Sequence, residues 1–337
     1  MSVLRAFVRT ARMIRHLGPL GAGLPPDDEL LLDAPDERLA PALVAAGRGE
    51  YDPAAKLLAH TREAAEWENR DRYVLRFATF AAARTEWFDA WQCAAPHDPD
   101  LLLVKSELAV ARAFASPARA ELLRDVAPLI AAAAEAEPGD PVPWRIALDQ
   151  ARGAGAPRGA FEELWEQAVR RSPHHYGCHV SALQYLSAAW YGSHAECFSF
   201  AERAARDALP GSLLKALPVR AALACLTSAR APQDIPRARL DAAADLAVEL
   251  SRTYEAADPW PAEVRNLLTC VLVELERWPD ALEQLRLIGP YATSFPWDRL
   301  VEDPLEHFVE LRATVRLEVA AVLPLLGGPG APGAHYA

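Results

Sequence analysis

The chain has 337 residues, 51% of them hydrophobic, with 35 basic against 46 acidic side chains and a net charge of −11. That balance excludes nucleic acid as the main partner, since such binding asks for a basic surface. Five scattered cysteines (Cys93, Cys178, Cys197, Cys225 and Cys270) form no Cys-x-x-Cys pair. They read as reduced, mostly buried thiols of a cytoplasmic protein.

In chain order, Leu4, Phe7, Val8, Ala11 and Ile14 line one face of a short helix from Ser2 to Leu17, and Arg5, Arg9, Arg12 and His16 the other. The stretch is too short and too rich in arginine to span a bilayer or to serve as a secretory signal. With Arg15 it carries +4, leaving −15 on the rest of the chain. Arg5, Arg9 and Arg12 are the candidate contact residues. Three places for them stay open: the chain's own acidic body, a protein partner, or an anionic membrane surface. A Gly/Pro-rich linker runs to Pro26.

Helices are expected over Asp36–Gly47, Pro53–Trp67, Arg70–Ala95 with a break near Thr85, Pro99–Ala115 capped by Asp98, and Pro117–Glu137 capped by Ser116. Asp140-Pro141 then opens another, with Gly153 and Gly155 marking its turn. Along the return helix, Phe161, Leu164, Trp165, Ala168 and Val169 recur at i, i+3, i+4, i+7 and i+8. Ser172-Pro173 is expected to cap a helix running from His174 to Trp190, about 25 Å long at 1.5 Å per residue. Ser212–Ser228 is apolar on most sides and expected to bend at Pro218. Pro236–Tyr254, Pro261–Arg277 and Pro279–Ile288 follow. Asp303-Pro304-Leu305-Glu306, a capping-box pattern with Asp as cap, opens a last helix to about Leu323. No convincing β-rich run is present.

Asp140 to Pro173 spans about the 34 residues of a tetratricopeptide (TPR) repeat. Trp144 stands at the first-helix aromatic position, and Trp165, Ala168 and Pro173 at the second-helix aromatic, small residue and terminal proline. The Trp144–Trp165 spacing is one residue longer than the consensus, and Leu148 stands near where a small residue belongs. The order of EPGDP, a Trp-bearing helix, AFEELWEQAVRRSP and AAWYGSHAECFSFAERA resembles the uncharacterised bacterial family called domain of unknown function 4034. Trp190-Tyr191-Gly192-Ser193 falls on that family's Trp-Gly-Gly-Ser-like turn, with Tyr in place of the first glycine. The resemblance covers Asp36 to Leu209. It implies a helical repeat fold and no activity.

Chemistry is sparse. No dinucleotide fingerprint, phosphate loop, H-E-x-x-H, nucleophile elbow or kinase signature is present. His175, Cys178 and His179 share one helical face and could hold a metal if Asp207 joined them, although Arg170, Arg171 and Arg206 crowd that end. Packed repeat residues are the plainer reading. His194 and Cys197 sit too far along the hairpin to join them, and Cys197 reads as a core thiol.

The expected fold is therefore all-α, a TPR-like α-solenoid of antiparallel hairpins. Residues 1–26 form a basic amphipathic helix with its linker, 27–325 a single repeat domain, and 326–337 a disordered tail. The expected function is a non-enzymatic interaction module for a protein or peptide, with no cofactor, no metal and no nucleic acid. The alternative is an enzyme or metal-dependent accessory protein with a pocket near His175, Cys178 and His179.

Overall fold

The computed structural model describes residues 20–228 and 235–322. The expected helix bearing Arg5, Arg9 and Arg12 and the expected C-terminal tail lie outside these residues. The described chain is all-α apart from one short strand pair. Its helices are α1 (Leu39–Ala46), α2 (Asp52–Glu63), α3 (Trp67–Ala83), α4 (Glu86–Ala94), α5 (Pro99–Phe114), α6 (Arg119–Ala136), α7 (Val142–Ala154), α8 (Arg158–Arg171), α9 (Tyr176–Tyr185), α10 (His194–Asp207), α11 (Leu217–Leu226), α12 (Arg237–Ser251), α13 (Ala262–Glu274), α14 (Trp278–Ile288) and α15 (Pro304–Val322). Among the described residues no helix is long and apolar enough to cross a membrane.

The fold gathers into two compact units, residues 35–253 and residues 20–34 with 254–322. In the larger unit, from α5 onward each helix packs on the next, as far as α12. The odd-numbered helices also pack on one another in succession, α3 on α5, α5 on α7, α7 on α9 and α9 on α11. Its buried apolar residues include two clusters. Phe77, Trp87, Trp91, Leu101, Val104 and Ile146 belong to the first; Leu148, Phe161, Ala168, Cys178, Ala182 and Tyr185 form the second. In the smaller unit, the strands β1 (Leu31–Leu32) and β2 (Tyr291–Ala292) pair in parallel and tie the N-terminal segment to the C-terminal helices. The sequence gives no sign of this pair, because two residues are too few to show alternation.

Several starts and stops follow the capping chemistry read in the sequence. Asp98 accepts from the Asp100 and Leu101 amides, and Asp303 from those of Leu305 and Glu306. Gly155 closes α7 with φ of 80°, the left-handed turn that favours glycine. Gly153, expected in that turn, is instead inside α7. A β-carbon there would lie 2.3 Å from Leu123 Cδ1 and 2.6 Å from Phe114 Cζ, so it marks a close helix approach.

Three further expectations change. Ser172 does not cap α9: His175 does, its Nδ1 accepting from the Cys178 amide, after a turn in which the His175 amide bonds Ser172 O. The helix expected to reach Trp190 ends at Tyr185. There the Tyr191 amide reaches back to Tyr185 O and the Gly192 amide to Ser187 O, folding the chain over itself. A β-carbon on Gly192 would sit 2.2 Å from Leu186 O, so only glycine allows that fold. The segment after Ser212 is not one bent helix. It is a 3-10 turn, Leu213–Ala216, followed by α11, with Pro218 in the first turn of α11, where proline costs no hydrogen bond.

Candidate functional site

Two regions of the larger unit concentrate unusual side chains. The first is a ladder of buried charges through the odd helices. Arg70 of α3 is 1% exposed and bonds Asp140 Oδ2 at 2.6 Å, Asp100 Oδ1 at 2.7 Å and the Leu58 carbonyl at 2.9 Å. Arg145 of α7 pairs with Asp71 of α3 at 2.7 Å, with Glu107 of α5, and with Asp149 at 3.5 Å. Charges this deep are tolerated only when paired and hydrogen-bonded. Burial pushes the carboxyls of Glu107 and Asp140 up, against the pull of Arg145 and Arg70. Each of these charged side chains is paired with another within the fold.

The ladder continues into α9. Glu68 accepts from the Tyr176 amide at 2.8 Å, and His175 Nε2 lies 3.3 Å from Trp67 O and 4.0 Å from Asp71. Burial draws the His175 pKa down, but Cys178, Glu68 and Asp71 more than offset it and lift it to about 10. Capping the Cys178 amide requires Nδ1 unprotonated, so charging this ring gains the carboxylates and forfeits the cap. Burial raises the Cys178 thiol pKa, while the neighbouring His175 pulls it the other way. Gly177 is the point of closest approach: a β-carbon there would lie 2.0 Å from Asp71 Oδ2.

The structure thus brings His175 and Cys178 together and turns His179 elsewhere. His179 Nδ1 donates to the His175 carbonyl at 2.9 Å, and its ring packs edge-on against Trp165 at 4.9 Å and beside Phe200 at 5.8 Å. Burial draws its pKa down to about 4. Among the described residues no three His, Cys, Asp or Glu side chains stand together as a metal-binding set. Asp207 is exposed at the end of α10. Cys197 is buried against the Leu183 carbonyl.

The second region is an open cleft of about 160 Å³ over α9, flanked by α8 and α10. Each helix presents its lining at helical spacing. Phe161 and Trp165 come from α8, Ala182, Tyr185 and Leu186 from α9 and the residue after it, and Phe200 and Arg203 from α10. Phe161 and Tyr185 stack with centroids 3.7 Å apart, and Tyr185 is fixed through its hydroxyl to the Ala156 carbonyl. Trp165 meets Phe200 edge-on at 5.5 Å. Small Ala182 lines the cleft among these rings and is itself 2% exposed. Arg158 at the α8 rim is shared by Glu162 at 3.1 Å and Glu196 at 2.9 Å. Arg203, further along α10 than Glu196, also lines the cleft, exposed, with no ion pair among the described residues.

The histidines stand out in the sequence, and this cleft does not. A signal was present: aromatics at i and i+4 on α8, Ala182, Tyr185 and Leu186 at i, i+3 and i+4 along α9, and Phe200 on α10. Compared with family models, with curated proteins and with solved structures, the chain matches none.

Proposed function

We propose that the chain is a non-enzymatic protein-interaction module of the TPR-like type, a solenoid of antiparallel hairpins that holds part of a protein or peptide partner. The stacking of α3, α5, α7, α9 and α11 into one layer, with α6, α8 and α10 returning between them, supports the hairpin reading. The resemblance of residues 36–209 to domain of unknown function 4034 belongs to the same reading. The observation that carries the interaction role is the cleft over α9. It is an aromatic recess open to solvent, and aromatic-lined pockets are where interfaces concentrate their binding energy. The buried charges are consumed within the fold and offer nothing to a ligand.

The test is affinity capture from a lysate of the source organism, with the full chain and its Leu186→Arg variant in parallel, each checked by circular dichroism and thermal melting. A discrete partner held by the native chain and lost by the folded variant is expected. If neither holds anything beyond an unrelated control protein, the interaction role is wrong.

A further inference from the structure

The chemistry of the cleft narrows its occupant, on the reading that it is a partner-binding site. Small-molecule pockets run to about 300–1,000 Å³, and this recess holds about 160 Å³. An enclosed apolar cavity of about 150 Å³ takes one benzene. The cleft therefore has room for one ring and little else. Its walls, Phe161, Trp165, Tyr185, Leu186 and Phe200, are apolar and mostly aromatic, which favours an aromatic guest in edge-on or offset contact.

Its rim has a direction. Arg158 of α8 is shared by Glu162 of α8 and Glu196 at the start of α10, so no cation is left over there. Further along α10 Arg203 lines the recess, one turn beyond Phe200, with no carboxylate assigned to it among the described residues. The chain as a whole is acidic, but charges beyond about 8 Å are screened at physiological salt, so the nearest guanidinium decides the contact. A guanidinium beside an apolar recess matches a carboxylate.

We propose that the cleft over α9 binds an acid-flanked aromatic side chain, phenylalanine or tyrosine beside aspartate or glutamate, on a segment of a partner protein. The ring packs in the recess against Trp165, Leu186 and Phe200, and the carboxylate pairs with Arg203.

The test uses the full chain and three labelled, end-blocked peptides differing only at the central pair, Phe-Asp, Phe-Lys and Ala-Asp, read by fluorescence anisotropy, with free phenylpropionate as competitor. The Phe-Asp peptide is expected to bind and the Ala-Asp peptide not. The Phe-Lys peptide should bind about three- to fivefold more weakly, the range of one exposed ion pair. Arg203→Ala should erase that preference and Arg203→Glu invert it; Arg203 is exposed, so both variants keep the fold. Equal binding of Phe-Asp and Phe-Lys overturns the proposal, as does no binding at millimolar peptide. Phenylpropionate binding more tightly than the peptide overturns the assignment to a protein segment. A lysate partner held equally by native chain and Leu186→Arg sinks this proposal and leaves the module standing. Peptide binding with no lysate partner does the reverse.

Discussion

The α3–α5–α7 ladder and the α8–α9–α10 cleft are built on the same layer of odd-numbered helices, and they join their helices in opposite ways. The ladder uses ion pairs: Arg70 with Asp100 and Asp140, Arg145 with Asp71 and Glu107. The cleft uses rings: Phe161 on Tyr185, and Trp165 against His179 and Phe200. Ion pairs in a low dielectric hold only if every partner is present, so the ladder is closed and self-consumed. Rings pack without stoichiometry, so a recess among them leaves no orphaned charge. The difference explains why the region densest in titratable groups is the structural one, and why the plainer apolar region is the better candidate for binding. Perturbed pKa values mark ion-pair networks as well as functional sites.

The largest effect should come from breaking the ladder. Arg145→Met removes the cation shared by Asp71 and Glu107, leaving Glu107 buried without its cation and Asp71 with only His175, 4.0 Å away. Loss of one partner of a buried pair costs about 3–5 kcal/mol. Chemical denaturation should show that loss in full, against an Arg203→Met control at the cleft rim that changes stability by less than about 0.5 kcal/mol. A loss at Arg145 no larger than that of the control would mean the ladder is not holding these helices together.

The two regions differed as much in legibility as in chemistry. Helices were readable because periodicity and caps are local: Asp98 and Asp303 bond amides two and three residues on. The ladder was not. Arg70 and Asp140 are 70 positions apart, Arg145 and Asp71 74 apart, and no spacing rule links such residues before the helices are stacked. The cleft fell between these cases. Its ring positions obey helical spacing, but only the packing of α8 and α10 on α9 turns them toward one recess. His175 misled for a local reason: histidine is a rarer cap than serine, and the Ser172-Pro173 signal stood three residues ahead of it. The helix stop at Tyr185 was hidden because it depends on the close contact between Gly192 and the Leu186 carbonyl.

Where ladder and cleft meet, Gly177 of α9 sharpens the contrast. Its Cα faces Asp71, and an added methyl would lie 2.0 Å from Oδ2, an overlap relieved only by displacing a carboxylate already bound to Arg145. Gly177→Ala should cost about 1–3 kcal/mol, the usual range for overpacking, although alanine is the better helix former. Gly159→Ala on α8, with nothing within 4 Å of the new carbon, should stabilise by up to about 1 kcal/mol. Thermal melts of the two variants should move in opposite directions; a shift of the same sign in both would remove the ladder's claim on Gly177.

The smallest effect concerns the ring that α9 gives to the cleft side. His179 is buried among Trp165 and Phe200, and its pKa falls from the ordinary 6.5 to about 4. In the unfolded chain the same imidazole titrates near 6.5. As pH drops below that value the unfolded state takes up a proton that the folded state refuses, so stability falls with pH. Above about 6.5 both states are neutral and the contribution is flat. Between pH 6.5 and 5.5 the loss from this residue amounts to about 1 kcal/mol. The carboxyls of Glu68, Glu107 and Asp140, raised by burial, act in the opposite sense over the acid range, so the total curve mixes the two. Replacing His179 by phenylalanine separates them. That variant keeps an aromatic ring against Trp165, and the His175 carbonyl keeps the backbone amide of residue 179 as its donor. The difference in unfolding free energy between native chain and variant should therefore be constant above pH 6.5 and shift in the variant's favour by that amount at pH 5.5. A difference that stays constant across the window would mean that the ring is open to water and can be protonated in place. The aromatic side of α9 would then be wetter than its packing against Trp165 and Phe200 implies.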